Sequence, residues 1–390
     1  MNEPVIYIID DEPQTVALLM EYVELSGYEA KTFVEAESFF KETPTIAEGS
    51  MMVLDLNMPK MDGIEVMRQM VETEKLLPLI LISGYDSGVL HSAEQLAKAY
   101  SLDIVATLAK PFTFKLFREI VERYARKAER RLTPRKALSV TDSELATAII
   151  DNQLILHYQP QININSGELT GVEALVRWEH PAHGLIYPDL FIGLAEESGL
   201  IADLTAQVIR MAMDQVLKWK SCQLVIPVSV NISADNITSL SLPEQLSSML
   251  SKHQLEPSML TLEVTESALM GQLVTSLDIL TRLRMKNFHL SIDDFGTGYS
   301  SLSQLYRMPF SELKVDKSFV MNMINDEEAK GIVKTCIILG HELNMRVVAE
   351  GVEDANTLEL LTEMGCDIAQ GYHIARPMAA NDILPWIQSR

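Results

Sequence analysis

The stretch Phe288-His289-Leu290-Ser291-Ile292-Asp293-Asp294-Phe295-Gly296-Thr297-Gly298-Tyr299-Ser300-Ser301 decides how the larger, C-terminal part of this chain folds. An apolar run too short for a helix and rich in strand formers ends in two adjacent carboxylates. Gly296 and Gly298 follow, and they permit a tight turn that no β-branched residue accepts. Neighbouring carboxylates repel unless a cation lies between them or one keeps its proton. A strand end that carries both to a loop mouth points to a divalent metal, whereas Asp-Asp alone reads first as an acidic N-cap or surface turn. The rest of the chain has to separate the two.

Outward from that stretch, strand patterns recur near Ile155–Gln159, Leu169–Val176, Val225–Asn231, Leu260–Val264, Leu313–Val315, Arg346–Ala349 and Asp367–Ala369. Helical patterns fill the gaps at Pro188–Ser198, Leu200–Trp219, Leu242–His253, Ser267–Met285, Glu327–Leu343 and Ala355–Met364. Eight strands with helical crossovers predict a TIM-type (β/α)8 barrel over 142–390, with its chemistry on the C-terminal ends of the strands. Those ends carry Glu173 and then Arg177, Asn231, Glu263, Asp293-Asp294, Lys314 with Asp316, Glu350, and Gln370. Oxygen donors at the mouths of consecutive strands need cations, because buried unpaired carboxylates are costly. No His or Cys cluster accompanies them, so Mg2+ or Mn2+ is favoured over zinc. Two ions roughly 4 Å apart would suit in-line attack on a phosphodiester. Lys314 adds a cation for the attacking water or the developing charge, and Arg177 a fork suited to phosphate.

The N-terminal part, 1–125, alternates strands at Val5–Ile9, Glu29–Phe33, Met51–Asp55, Leu79–Ser83 and Ile104–Leu108 with helices, the first running from Pro13 to a stop at Gly27. This predicts a doubly wound, flavodoxin-like α/β sheet whose ligands bind at the carboxyl ends of its strands. Asp10, Asp11 and Asp55 sit at such ends, Ser83 closes another strand and Lys110 follows the last, an arrangement fit for Mg2+ and phosphoryl transfer. Between the two parts, 126–141 reads as a basic helical linker: a basic run that continues the last helix of the first part, Arg123, Arg126, Lys127, Arg130, Arg131, Arg135 and Lys136, is broken at Pro134. It reads as a solvated helix face, or else as a dock for an acidic surface.

The net charge of −22 argues against direct DNA binding, which requires a basic face. Three widely spaced cysteines provide neither a disulfide framework nor a zinc site and fit a reducing compartment. No apolar run approaches the ~18 residues of a membrane span, and no signal segment is visible, so a cytoplasmic location is expected. His289 inside a strand, the methionines and Trp178 read as packing rather than ligands.

Motifs then identify both parts. Asp10-Asp11, Asp55-Leu56-Asn57-Met58-Pro59 with Gly63, Ser83 and Lys110-Pro111 resemble the receiver domain of two-component response regulators. That resemblance implies that Asp55 accepts a phosphoryl group from a histidine kinase, that Asp10, Asp11 and Asp55 hold one Mg2+, and that Ser83 and Lys110 contact the phosphoryl oxygens. Thr107 departs from the pattern, which has a switch aromatic there. Tyr158-Gln159-Pro160, Glu173-Ala174-Leu175-Val176-Arg177, Asn231-Ile232-Ser233, Glu263-Val264-Thr265-Glu266, the Asp293 loop, Lys314-Val315-Asp316, Glu350-Gly351-Val352-Glu353 and Gln370-Gly371-Tyr372 resemble the EAL family of cyclic di-GMP phosphodiesterases.

The second resemblance implies two Mg2+ or Mn2+ ions, held by Glu173, Asn231, Glu263, Asp293, Asp294 and Glu350 with Asp316 close by. It also implies catalysis by Lys314, Glu350 and Glu173. Gln159, Leu175, Arg177, Asp316 and Gln370 would face the dinucleotide, and Glu266 would tether the loop after Asp293-Asp294. The first barrel strand would run antiparallel, and the chain would form a homodimer or larger oligomer. The expected activity is hydrolysis of cyclic di-GMP to linear pGpG under control of Asp55. A non-catalytic cyclic di-GMP sensor and a phosphorylation-dependent interaction protein are the alternatives. A sensor, however, gains nothing by keeping the hydrolytic lysine and every acid.

Overall fold

The structure is a computed structural model that describes residues 4–43, 46–47, 49–84, 87–132, 140–269, 273–297 and 302–389. Arg135, Lys136, Pro134 and Gly298 of the sequence reading lie outside the described residues. Two compact units divide the chain, Met1–Ala137 and Leu138–Arg390.

In the first unit, β1 (Val5–Ile9), β2 (Glu29–Phe33), β3 (Met51–Asp55), β4 (Leu79–Ser83) and β5 (Ile104–Ala109) form a parallel sheet in the order β2-β1-β3-β4-β5. β1, β3 and β4 are buried along their whole length, as inner strands covered on both faces must be. Alternation divides each strand between two cores: Val5, Tyr7 and Ile9 face one, Ile6 and Ile8 the other. The doubly wound architecture is the one the alternating pattern predicts, and it brings the strand ends bearing Asp10, Asp55 and Ser83 to one edge.

The second unit holds β6 (Leu154–Asn163), β7 (Leu169–His180), β8 (Gly184–Ile186), β9 (Val228–Asn231), β10 (Leu260–Thr265), β11 (His289–Phe295), β12 (Glu312–Val315), β13 (Arg346–Ala349), β14 (Ile368–Ala369) and β15 (Met378–Ala379). The pairing β6-β14-β13-β12-β11-β10-β9-β7 closes back onto β6, giving an eight-stranded barrel with β8 and β15 as appendages. β6 is antiparallel to both its neighbours and the other barrel pairs are parallel, as the family resemblance implied. A single apolar core joins the outward faces of the strands to the surrounding helices.

The structure refines several elements. The helix expected at Pro188–Ser198 is a 3-10 turn, Pro188–Leu190, followed by the helix Ile192–Glu197. Phe191 breaks it with φ −133°, because its ring turns in to pack edge-on against buried Trp178. The pattern at Ser267–Met285 likewise resolves into a short turn, Ser267–Leu269, and a helix, Leu273–Met285. Trp178 is fully buried, with Nε1 donating to Gln153 Oε1 at 3.1 Å. Unforeseen in the sequence are the hairpin strand β8 and a helix at Asp142–Ile150, whose Thr141/Glu144 capping box marks its start.

Candidate active site

Parallel strands deliver their C-terminal ends to one rim, so Glu173 and Gln370, 197 positions apart in the sequence, meet there. Lys314, on β12, is completely buried. Its Nζ stands 2.6 Å from Glu350 Oε1, 2.8 Å from Glu263 Oε2, 3.1 Å from Asp293 Oδ1 and 3.8 Å from Glu173 Oε2. One ammonium thus faces four carboxylates, with Asp294 and Asp316 beside them. Burial alone would pull its pKa down, but the surrounding carboxylates outweigh burial and raise it well above the ordinary value, so Lys314 stays protonated.

The same shortage of positive charge governs the acids. Burial pushes the Glu350 carboxyl up to about 8, with Asp293 and Glu173 adding to the rise and Lys314 opposing it. Burial, then Asp293 and Asp316, lift Asp294 to about 6. Glu263 is raised well above the usual carboxylate range, chiefly by burial. Its Oε1 is buried and has no hydrogen-bond partner among the described residues. Asp293, Asp294 and Glu350 each offer an oxygen within 4.8 Å of the others. An orphaned carboxylate oxygen, a converging acidic trio and a purely oxygen donor set fit hard divalent cations.

Local backbone geometry supports the set. Asp294 takes a left-handed φ of 54°, unusual outside glycine, and its N–H bonds to Asp293 Oδ1 at 3.0 Å. Two residues on, the Gly296 N–H donates to Glu266 Oε2 at 3.1 Å, joining the loop to the end of β10. Glu173 is held by Asn231 Nδ2 at 2.9 Å and by Gln370 Nε2, which also reaches Gln159 Oε1 at 3.2 Å. Gln159 and Gln370 are therefore buried within this network. Gln161, which carried no motif, completes it by donating to Gln370 Oε1 at 2.8 Å. Gly371 permits the close approach, since a Cβ there would meet Val352 backbone atoms at 2.2–2.6 Å. Asp316 accepts from the Ser318 N–H at 2.9 Å and caps the helix Lys317–Asn322.

A cleft of about 680 Å³ opens beside the acids, lined by Leu175, Asp189, Ile192, Asn231 and Asp294 among others. Apolar walls with a few polar groups suit a nucleotide-sized ligand. Arg177 is not among its lining residues; the guanidinium lies against the ring of Tyr187.

The first unit carries its own acidic trio. Asp10, Asp11 and Asp55 converge, and Lys110 Nζ stands 2.8 Å from Asp10 Oδ2 and 3.3 Å from Asp55 Oδ1. The second contact is an ion pair only; that buried oxygen receives no hydrogen bond from the described residues. Burial lifts Asp55 to about 6 against the pull of Lys110, with Asp10 adding to the rise. Ser83 is buried at the end of β4, and its carbonyl accepts from the Lys110 N–H at 2.8 Å. This set fits a divalent ion on the same chemical grounds as the barrel set.

Comparison with known proteins covers both units. Residues 142–377 match the model of the EAL domain, and residues 6–122 that of the response regulator receiver domain. The cyclic di-GMP phosphodiesterase RocR of Pseudomonas aeruginosa is 31% identical over 395 aligned positions, spanning 99% of each chain. The bifunctional diguanylate cyclase/cyclic di-GMP phosphodiesterase MucR of the same organism is 44% identical over 62% of this chain. The chain spans only 35% of MucR and 31% of the Escherichia coli oxygen sensor protein DosP. Among solved structures, the PaMucR phosphodiesterase in complex with c-di-GMP superposes with a TM-score of 0.60 at 43% identity, covering 62% of this chain and 98% of that one. Among the described residues, no helix is long and apolar enough to cross a membrane.

Proposed function

Because the chain belongs to the EAL domain family, with a response regulator receiver domain preceding the barrel in sequence, we propose that it hydrolyses cyclic di-GMP to linear pGpG at the rim of its barrel. The observation that carries this reading is the Lys314 ammonium ringed by Glu173, Glu263, Asp293 and Glu350, beside the Asp293-Asp294-Glu350 trio. Glu173, Asn231, Glu263 and Asp293 would hold one Mg2+ or Mn2+, and Asp293, Asp294 and Glu350 a second, with Asp316 nearby. Bound there, such ions supply the charge neutralisation and water activation that phosphodiester hydrolysis requires.

The chain's own groups supply the rest. Lys314 orients the attacking water and offsets charge growing on the phosphate oxygens. Glu350, ionised, takes one proton from the attacking water as its oxygen bonds to phosphorus; the P–O3′ bond breaks and the departing 3′-oxygen takes a proton from solvent water, leaving as the 3′-hydroxyl of pGpG. Gln370 and Asn231 hold Glu173 in register. Leu175 and Arg177, with Gln159, Gln370 and Asp316 behind them, receive the dinucleotide. Glu266 couples the loop after Asp294 to β10.

In the receiver, Asp55 accepts a phosphoryl group from a histidine kinase, Asp10 and Asp11 help hold Mg2+, and Ser83 and Lys110 contact the phosphoryl oxygens. Phosphorylation regulates the hydrolase, which works in the cytoplasm as a homo-oligomer. The test is chromatography of cyclic di-GMP incubated with the purified chain and Mg2+ or Mn2+, alongside Glu173→Ala. Conversion to pGpG by the wild type and none by the variant supports the proposal; undiminished cyclic dinucleotide in both overturns it.

A further inference from the structure

The β7–β8 hairpin places an aromatic ring against the cation implicated in substrate binding. Trp178 pairs with Ile186 across that hairpin. One step further along the antiparallel ladder sets Arg177 opposite Tyr187. Arg177 Cζ lies over the Tyr187 ring, 5.1 Å from its centroid. Tyr187 is 55% exposed, whereas Arg177 is only 7% exposed. Arg177 Nη1 donates to Val176 O at 2.8 Å, but its Nε, also buried, has no partner among the described residues. Burial depresses the guanidinium pKa, while the Tyr187 and Tyr372 phenols, Glu173 and Asp189 oppose that fall. With so few hydrogen bonds of its own, the guanidinium is held largely by the ring it lies against.

We infer that Tyr187 is a positioning residue for the substrate: its ring holds the Arg177 guanidinium in the orientation in which it meets the cyclic dinucleotide at the barrel rim. The inference rests on the barrel binding that ligand, and it assigns the hairpin a role in affinity rather than in the chemical step. The face of an aromatic ring attracts a guanidinium electrostatically, so the phenol hydroxyl is dispensable and the ring is not.

The experiment is steady-state hydrolysis of cyclic di-GMP by the full chain, wild type beside Tyr187→Ala and Tyr187→Phe, with unfolding temperatures measured in parallel. Tyr187→Ala should raise KM roughly 2- to 5-fold, the strength of such a contact at an exposed site, and leave kcat and Tm near wild type. Tyr187→Phe should behave as wild type. In an Arg177→Ala background, Tyr187→Ala should add nothing. An unchanged KM in Tyr187→Ala, a fall in kcat alone, or equal damage from Tyr187→Phe overturns the assignment. Should the wild type prove inactive, the hydrolase reading falls by itself. The Kd of cyclic di-GMP for the same variants, measured by calorimetry with Ca2+ in the buffer, then decides on Tyr187 by the same 2- to 5-fold criterion.

Discussion

Replacing Lys314 with Met tests the charge balance of the barrel rim most severely. Met preserves an unbranched chain of similar length but removes the only ammonium, among the described residues, within 4 Å of Glu173, Glu263, Asp293 and Glu350. Breaking a buried ion pair from one side costs roughly 3–5 kcal/mol, since the other charge stays buried and unpaired. At roughly 2–4 °C per kcal/mol for a domain of this size, the metal-free barrel should unfold roughly 6–20 °C lower. The acids have an escape, which is to take up protons. A carboxyl whose folded pKa is raised binds more protons folded than unfolded, so stability falls as pH rises from its ordinary value towards its folded one. With Asp294 at about 6 and Glu350 at about 8, that window spans neutral pH. Lys314 holds both values down, so its removal raises them further, and the deficit of Lys314→Met should be small at pH 5 and much larger at pH 9. Thermal unfolding of chelated wild type and variant at both pH values reads this directly, and Mn2+ should restore part of the loss at pH 9. An unchanged or higher transition for the chelated variant at pH 9 would refute the electrostatic reasoning.

Two further perturbations address separate links. Asp55→Asn should abolish incorporation of phosphate from a small acyl phosphate in the presence of Mg2+, read on a phosphate-affinity gel; undiminished labelling would move the acceptor elsewhere. Gly371→Ala drives a methyl group into the Val352 backbone and should cost roughly 1–3 kcal/mol of barrel stability while displacing Gln370 from Glu173. A variant with wild-type Tm and activity would show that the close approach is not needed.

Much of this architecture was legible because its signals are local. Short buried runs mark β1, β3, β4 and the barrel strands, and the acids fall where each run stops. Direction is not local: nothing in Leu154–Asn163 says that β6 runs against its neighbours, and only the resemblance to a family implied it. Phe191 shows the opposite failure, in which a helical period was interrupted because one ring was needed against Trp178. Gln159 and Gln370 were expected at the ligand, and the hydrogen bonds that tie Gln370 to Glu173 and to Gln159 could not be seen without the closed barrel. Tyr187 carried no signal, because the three residues of β8 that place it opposite Arg177 are too few to read as a strand.

The most direct measurement is the rate of cyclic di-GMP hydrolysis as Mn2+ is added back to chelated protein, for wild type and Asp293→Asn. Asp293 lies both within reach of Lys314 and in the acidic trio, so its loss disturbs both proposed ion sites at once. Wild type should rise from no turnover to a plateau, and Asp293→Asn should stay near zero across the same range. Full turnover by the chelated wild type, or a normal plateau for Asp293→Asn, would contradict a metal-assembled centre at this rim.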